Sequence, residues 1–139
     1  MISFQVLTPE GILLQEEVVS ILLPAVNGPL LIEGGYTPTI VECLPSGVVK
    51  VDFGNKVKYY AEFHGVGRVT PEGTFLFCAE LFEDGYEIDM ARAIASRDRN
   101  LDLIQSQDPN VDVAYAQISL NKQLARIQAK TLGEGQKEL

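Results

Sequence analysis

Long apolar runs, paired cysteines, basic residues and histidine are all scarce in this chain of 139 residues, and each scarcity removes a class of function. No apolar stretch approaches the 18 residues of a membrane-spanning helix, and Met1-Ile2-Ser3-Phe4 lacks the basic start of a secretory signal, so a soluble cytosolic protein is expected. Cys43 and Cys78 lie far apart with no Cys-x-x-Cys, which predicts two free, buried thiols and neither a disulfide nor a metal pair. The one histidine, His64, stands beside a glycine and reads as a surface or locally bonded residue, not a general base. Without a second histidine, Ser3, Ser20 and Ser46 have no base to complete a triad. Gly65-Val66-Gly67 inside a strand pattern reads as a bend and not a phosphate cradle. Glu16-Glu17 and Glu83-Asp84 read as solvated turn charges. With 11 basic residues against 19 acidic ones, the chain also lacks the footprint that nucleic acid requires.

What remains is a chain that is 46% hydrophobic and long enough to bury a core. Its first part reads with strand periodicity. Ile2 to Leu7, Ile12 to Leu14 and Val18 to Leu23 form strands, the last stopped by Pro24, and Leu30 to Ile32 leads into the glycine pair Gly34-Gly35. Thr39 to Val41, Val48 to Phe53, Val57 to Phe63, Val66 to Thr70 and Thr74 to Leu81 follow, each bounded by Pro, Gly or Asn. Nine or ten short strands at close spacing predict an all-β sandwich or flattened barrel. Asn27 to Pro38, rich in glycine and proline, is either a structural corner or an exposed contact loop.

At Asp84-Gly85 the pattern changes. Turn chemistry gives way to a helix starting between Glu87 and Asp89, with Gly85 supplying a positive φ and Asp89 able to cap the first turn. Met90, Ile94, Leu101 and Ile104 repeat at helical spacing, Pro109 breaks the pattern, and Val113, Ala116, Leu120, Leu124 and Ile127 restart it until Gly133-Glu134-Gly135 ends it, with residues past Gly133 expected to fray. The expected organisation is a β domain over residues 1–84 and an antiparallel helix-turn-helix hairpin over residues 85–139. Charge is divided as unevenly as structure: residues 1–84 hold 11 acids and 4 bases, whereas residues 85–139 hold 8 and 7. Lys122, Arg126 and Lys130 recur every four residues and share one helix face, either solvated or suited to an acidic partner.

Several segments together resemble the epsilon subunit of F-type ATP synthase. They are Leu7-Thr8-Pro9-Glu10-Gly11, Leu23-Pro24 with Gly28, Ile32, Gly35 and Pro38 behind it, Ile88-Asp89-Met90-Ala91-Arg92-Ala93, and Asp112-Val113-Ala114-Tyr115-Ala116-Gln117. The resemblance implies a sandwich of about ten strands with a C-terminal helical hairpin. It implies a non-catalytic central-stalk subunit at the cytoplasmic face of the cell inner membrane, coupling ion flow to ATP synthesis and restraining ATP hydrolysis. The implied partners are the gamma subunit, the ring of membrane c subunits and, when the helices extend, the catalytic beta and alpha subunits. Ring contact would fall on Gly28, Pro29, Gly35, Tyr36 and Pro38. Here the chain departs from the family pattern, having Tyr36 where histidine is usual and Pro29 where an acid is frequent. No cofactor is required, but ATP would be a regulatory ligand held by Ile88, Asp89, Arg92 and Arg126. Lys122, Arg126 and Lys130 would form the inhibitory contact. The alternative from the residues alone is a free-standing β-sandwich binding module with a helical dimerisation hairpin, with a small β-sandwich enzyme behind it.

Overall fold

The computed structural model describes residues 1–138, and the side chains of residues 1–135. Ten strands come first: β1 Ile2–Thr8, β2 Gly11–Val18, β3 Ser20–Ala25, β4 Gly28–Glu33, β5 Thr39–Glu42, β6 Ser46–Asp52, β7 Val57–Phe63, β8 Val66–Val69, β9 Thr74–Cys78 and β10 Leu81–Asp84. A 3₁₀ turn at Gly85–Glu87 leads to helices α1, Met90–Gln105, and α2, Val113–Glu138. The strands form two five-stranded sheets, ordered β2-β1-β9-β8-β5 and β10-β7-β6-β3-β4. The expected sandwich and hairpin are both present.

Alternation places one face of each sheet inward, where Phe4, Phe75, Phe77, Phe82 and Tyr60 form an aromatic core. Phe4 and Phe75 stack at 5.8 Å, and Tyr60 stacks on Phe82 at 4.4 Å. The second sheet is covered on its outer face by α2, which packs on β6, β7, the 3₁₀ turn and α1. Strand β7 is therefore buried on both sides: Tyr60 joins the sandwich core, while Ala61 and Phe63 meet Ala125 and Ala129 of α2.

Several local expectations are corrected. Pro24 lies within β3 instead of ending it, opposite Pro29. The missing amide is tolerated because β3 pairs with β6 only over Ser20 to Leu22. Thr74 to Leu81 is two strands in different sheets, joined at a corner where Ala79 N–H donates to Leu7 O and Glu80 N–H to Phe63 O. Cys43 is buried but Cys78 is exposed, on the outer face of the first sheet. On α2, Ala116 and Leu120 are buried as periodicity predicts, whereas Leu124 is exposed and Ala125 takes the inward position. Helix α2 also runs through Gly133 and Gly135 to Glu138, so the predicted end at those glycines does not occur. Of the tail expected to fray beyond Gly133, Leu139 lies outside the described residues.

Candidate functional site

The segment that turns strand into helix builds the site. Asp84 caps the 3₁₀ turn, its Oδ1 accepting from Tyr86 N–H at 3.0 Å while Oδ2 pairs with Lys58 Nζ at 2.8 Å. Asp89 caps α1 and accepts from Arg92 N–H at 3.1 Å, satisfying one of the orphan amides of the first turn. Gly85 does not have the positive φ expected of it. Its role is close approach, since an added Cβ would collide with Ala129 O and lie 2.8 Å from Tyr59 O. The absent side chain lets α2 cross directly over the turn.

Between this turn, the edge of the sandwich and the two helices lies a cleft of about 870 Å³. Leu13, Leu14, Tyr60 and Phe82 form its sandwich wall; Ile88, Asp89, Arg92, Ser96 and Arg99 line it from the turn and α1, and Gln123 and Arg126 from α2. The four residues expected to hold ATP, Ile88, Asp89, Arg92 and Arg126, thus share one cavity although 34 positions separate Arg92 from Arg126. Arg99 joins them. Sequence reading missed it, although its spacing of seven from Arg92 repeats the helical face. Burial, reinforced by the negative charges of Asp84, Glu16 and Glu87, raises the Tyr60 phenol, so it faces the cleft as a neutral hydroxyl.

The charges of the cleft are partly spent. Arg126 forks onto Glu83, Nε to Oε1 at 2.7 Å and Nη2 to Oε2 at 3.2 Å, and its guanidinium lies 5.0 Å from the centroid of the Phe63 ring. Glu83 and Asp84 are therefore ion-paired and not the solvated turn charges expected of them. Among the described residues, Arg92 and Arg99 have no ion pair. An anion entering here would meet two uncommitted guanidinium groups and a third that it must win from Glu83.

The basic stripe faces the sandwich. Lys122 Nζ lies 5.6 Å from the Phe63 centroid, and Lys130 Nζ donates to Tyr86 O at 2.6 Å, sits 5.2 Å from that ring and pairs with Glu134 at 3.5 Å. Each cation is held by β7, β10 or the 3₁₀ turn when the hairpin is folded, so the stripe is not a solvated face.

The proposed ring-contact residues do not form one loop. Gly28 and Pro29 open β4, while Gly35, Tyr36 and Pro38 follow its end, roughly 20 Å away at the usual strand rise. Gly28 and Gly35 have φ of 117° and 81°, each a conformation favouring glycine, and Tyr36 packs half-buried against the core. Two buried polar residues were passed over by sequence reading, and one of them ties the helices together. Asn100 bridges the helices, its Nδ2 donating to Ser96 O at 2.8 Å and Ser119 Oγ at 3.0 Å, and Gln123 is buried beside the cleft. Among the described residues no cluster of His, Cys, Asp and Glu could hold a metal ion, and no helix is long and apolar enough to cross a membrane.

No family model matches the chain. It is 32% identical over 126 residues to the ATP synthase epsilon chain of Syntrophomonas wolfei, covering 90% of each chain. It is 30% identical over 124 residues to that of Desulforamulus reducens, covering 89% of this chain and 92% of the other. Among solved structures it is similar to a chain of the mitochondrial ATP synthase of Euglena gracilis, solved as its OSCP/F1/c-ring assembly, with a TM-score of 0.78 at 20% identity, covering 94% of this chain and 81% of that one. A chain of the central stalk and c-ring of Tetrahymena thermophila mitochondrial ATP synthase matches with a TM-score of 0.56 at 15% identity, covering 94% of this chain and 93% of that one. The solved structures share the fold of sandwich and hairpin, and the two bacterial relatives match along nine-tenths of its sequence: the chain belongs to the ATP synthase epsilon chain family.

Proposed function

We propose that this chain is a non-catalytic rotor subunit of the F-type ATP synthase. Its sandwich binds the gamma subunit and the ring of membrane c subunits at the cytoplasmic face of the inner membrane, as a peripheral protein. Its hairpin restrains ATP hydrolysis. The observation that carries the regulatory half is the double demand on one set of cations. Lys122, Arg126 and Lys130 are bound to the sandwich side in the compact form, so they reach an acidic surface of the catalytic beta and alpha subunits only if α2 leaves. Compact and extended forms then compete for the same charges, and each partner favours the form it binds better. ATP favours the compact form, because Asp89 and Arg92 meet Arg126 only when α2 lies across the turn. The chain itself performs no step of the reaction.

The test is a lock. Ala61 and Ala129 share a buried cluster, so cysteines at these positions, with Cys78 changed to Ser, offer a disulfide across the docked interface. Complex carrying the oxidised subunit should hydrolyse ATP without restraint, and reduction should restore inhibition. Equal rates before and after reduction would show that the hairpin does not inhibit.

A further inference from the structure

Strand β7 carries a carboxylic acid into the end of the sandwich. Tyr60 and Glu62 share one face of the strand, Ala61 and Phe63 the other, and Glu62 is fully buried. Its Oε1 accepts from Gly65 N–H at 2.9 Å, and among the described residues its Oε2 has no hydrogen-bond partner. Glycine stands on both sides: a Cβ on Gly47 would lie 3.2 Å from Oε2, and one on Gly65 would lie 2.9 Å from Oε1. Phe82 is paired with Glu62 across β10, and the Phe77 ring lies against Gly65.

Among the described residues no cation offsets this group. Cys43 is the titratable side chain facing it, and that thiol is pushed up to about 12 by burial and by Glu62, so it remains neutral. Lys122 and Arg126 lie across β7 against Phe63, and His64 turns outward to Glu80 at 3.7 Å. Burial raises the Glu62 carboxyl to about 7, with the Gly65 amide opposing the rise.

The surrounding backbone joins two structures. Cys43 N–H donates to Gly65 O at 2.9 Å and His64 N–H to Pro45 O at 3.0 Å, closing the end of the sandwich. The next residue, Phe63, pairs with Ser46 and Leu81 and supplies the ring on which two cations of α2 rest. We propose that Glu62 is a proton-operated switch: neutral, it keeps the sandwich end shut and Phe63 seated beneath the hairpin, and ionised, it draws water into that end and loosens hairpin docking. The proposal concerns the chain by itself and stands whether or not the hairpin inhibits. An exposed glutamate ionises near 4.5 and this one near 7, so opening becomes easier as pH rises through that window and changes no further above it. The full difference corresponds to on the order of 100-fold in the opening equilibrium.

Amide hydrogen exchange of the full chain, corrected for intrinsic rates, tests this between pH 5 and pH 8. Protection at Cys43, at His64 and along α2 from Leu120 to Ala129 should fall together by on the order of 10- to 100-fold. In Glu62→Gln, which cannot ionise, protection should not vary with pH. PH-independent protection in the parent, the same dependence in the variant, or loss at the sandwich end with α2 unchanged would each overturn the proposal. Should Glu62→Gln fail to fold, carbon NMR of the parent carboxyl decides: a midpoint near 7 supports the switch, and one near 4.5 overturns it.

Discussion

Breaking the Glu83–Arg126 pair should release the hairpin without unfolding the sandwich. The pair is bidentate and about three-quarters buried, with side-chain exposures of 32% and 22%, so it is screened less than a surface bridge. Exposed pairs contribute about 0.2–1 kcal/mol and hydrogen bonds to charged groups about 1.5–3 kcal/mol; a partly exposed pair should fall between, at roughly 1–2 kcal/mol. Arg126→Met also removes the guanidinium from the Phe63 ring, which adds about 0.5–1 kcal/mol. Glu83→Gln, Arg126→Met and the double variant form a cycle in which that second contribution cancels, leaving the pair. Docking would be followed in a urea titration by energy transfer between a dye on exposed Cys78 and another on a cysteine placed at exposed Gln117. A coupling of roughly 1–2 kcal/mol, or about 5- to 30-fold in the docked-to-undocked ratio, is expected. A coupling below about 0.3 kcal/mol would refute the claim that this pair latches the hairpin, because additive sites differ by that much.

Other consequences can be measured separately. Neutralising Lys122, Arg126 and Lys130 together to Ala should weaken both docking on the sandwich and any contact with the catalytic head, so restraint of hydrolysis should fall and become insensitive to salt; unchanged, salt-sensitive inhibition in the triple variant would rule out the stripe. Millimolar ATP should raise the melting temperature of the parent, by about 2.7 kcal/mol of added stability at 100 times its dissociation constant, and Arg92→Ala should abolish the shift; calorimetry without a shift would remove the ligand. Because the folded Glu62 carboxyl is raised from 4.5 to about 7, stability contributed below pH 4.5 should be lost as pH rises to 7, a change on the order of 3 kcal/mol that Glu62→Gln removes in urea unfolding at pH 5 and pH 8. A chain ending at Asp84 should fold, since the aromatic core lies wholly before that residue, and an unfolded product by circular dichroism would contradict the division.

The strands were legible because turn residues mark their ends: Pro9-Glu10-Gly11, Gly54-Asn55 and Pro71-Glu72-Gly73 each fall between observed strands. The corner at Ala79-Glu80 carries no such mark, which is why two strands read as one. The cap at Asp89 and the helix start were legible for the same local reason. Long-range facts were not. Periodicity puts Lys122, Arg126 and Lys130 on one face but cannot say that the face meets Phe63 and Tyr86. Glu62 escaped notice because Tyr60-Ala61-Glu62-Phe63 alternates like a half-exposed strand, and only the docked α2 makes both of its sides interior. The cleft depends on the same docking.

That docking is built differently from the core beneath it, and the difference bears on switching. Inside the sandwich, Phe4, Phe75, Phe77, Phe82 and Tyr60 bury large rings against one another. Among the described residues, the buried cluster between sheet and helix consists of Ala61, Ala125 and Ala129 with Phe63 as its one large fully buried side chain, supported at the edge by Val48 and Ile88. Burying an alanine methyl yields about a third of what a phenylalanine ring does, at roughly 25 cal/mol per Å² of apolar surface. The interface therefore relies on close backbone approach at Gly85 and on cations at its rim. A core of that kind holds its shape over the whole stability range, whereas a seat of small side chains and partly exposed charges lies at the low end of local stability. Two forms can exchange only if their free energies differ by a few kcal/mol, which is the size of one ion pair, one bound nucleotide or one buried proton. On the proposed switching, the seat of α2 would let each of these decide its position, while a sandwich that holds its own aromatic core should remain folded when α2 leaves.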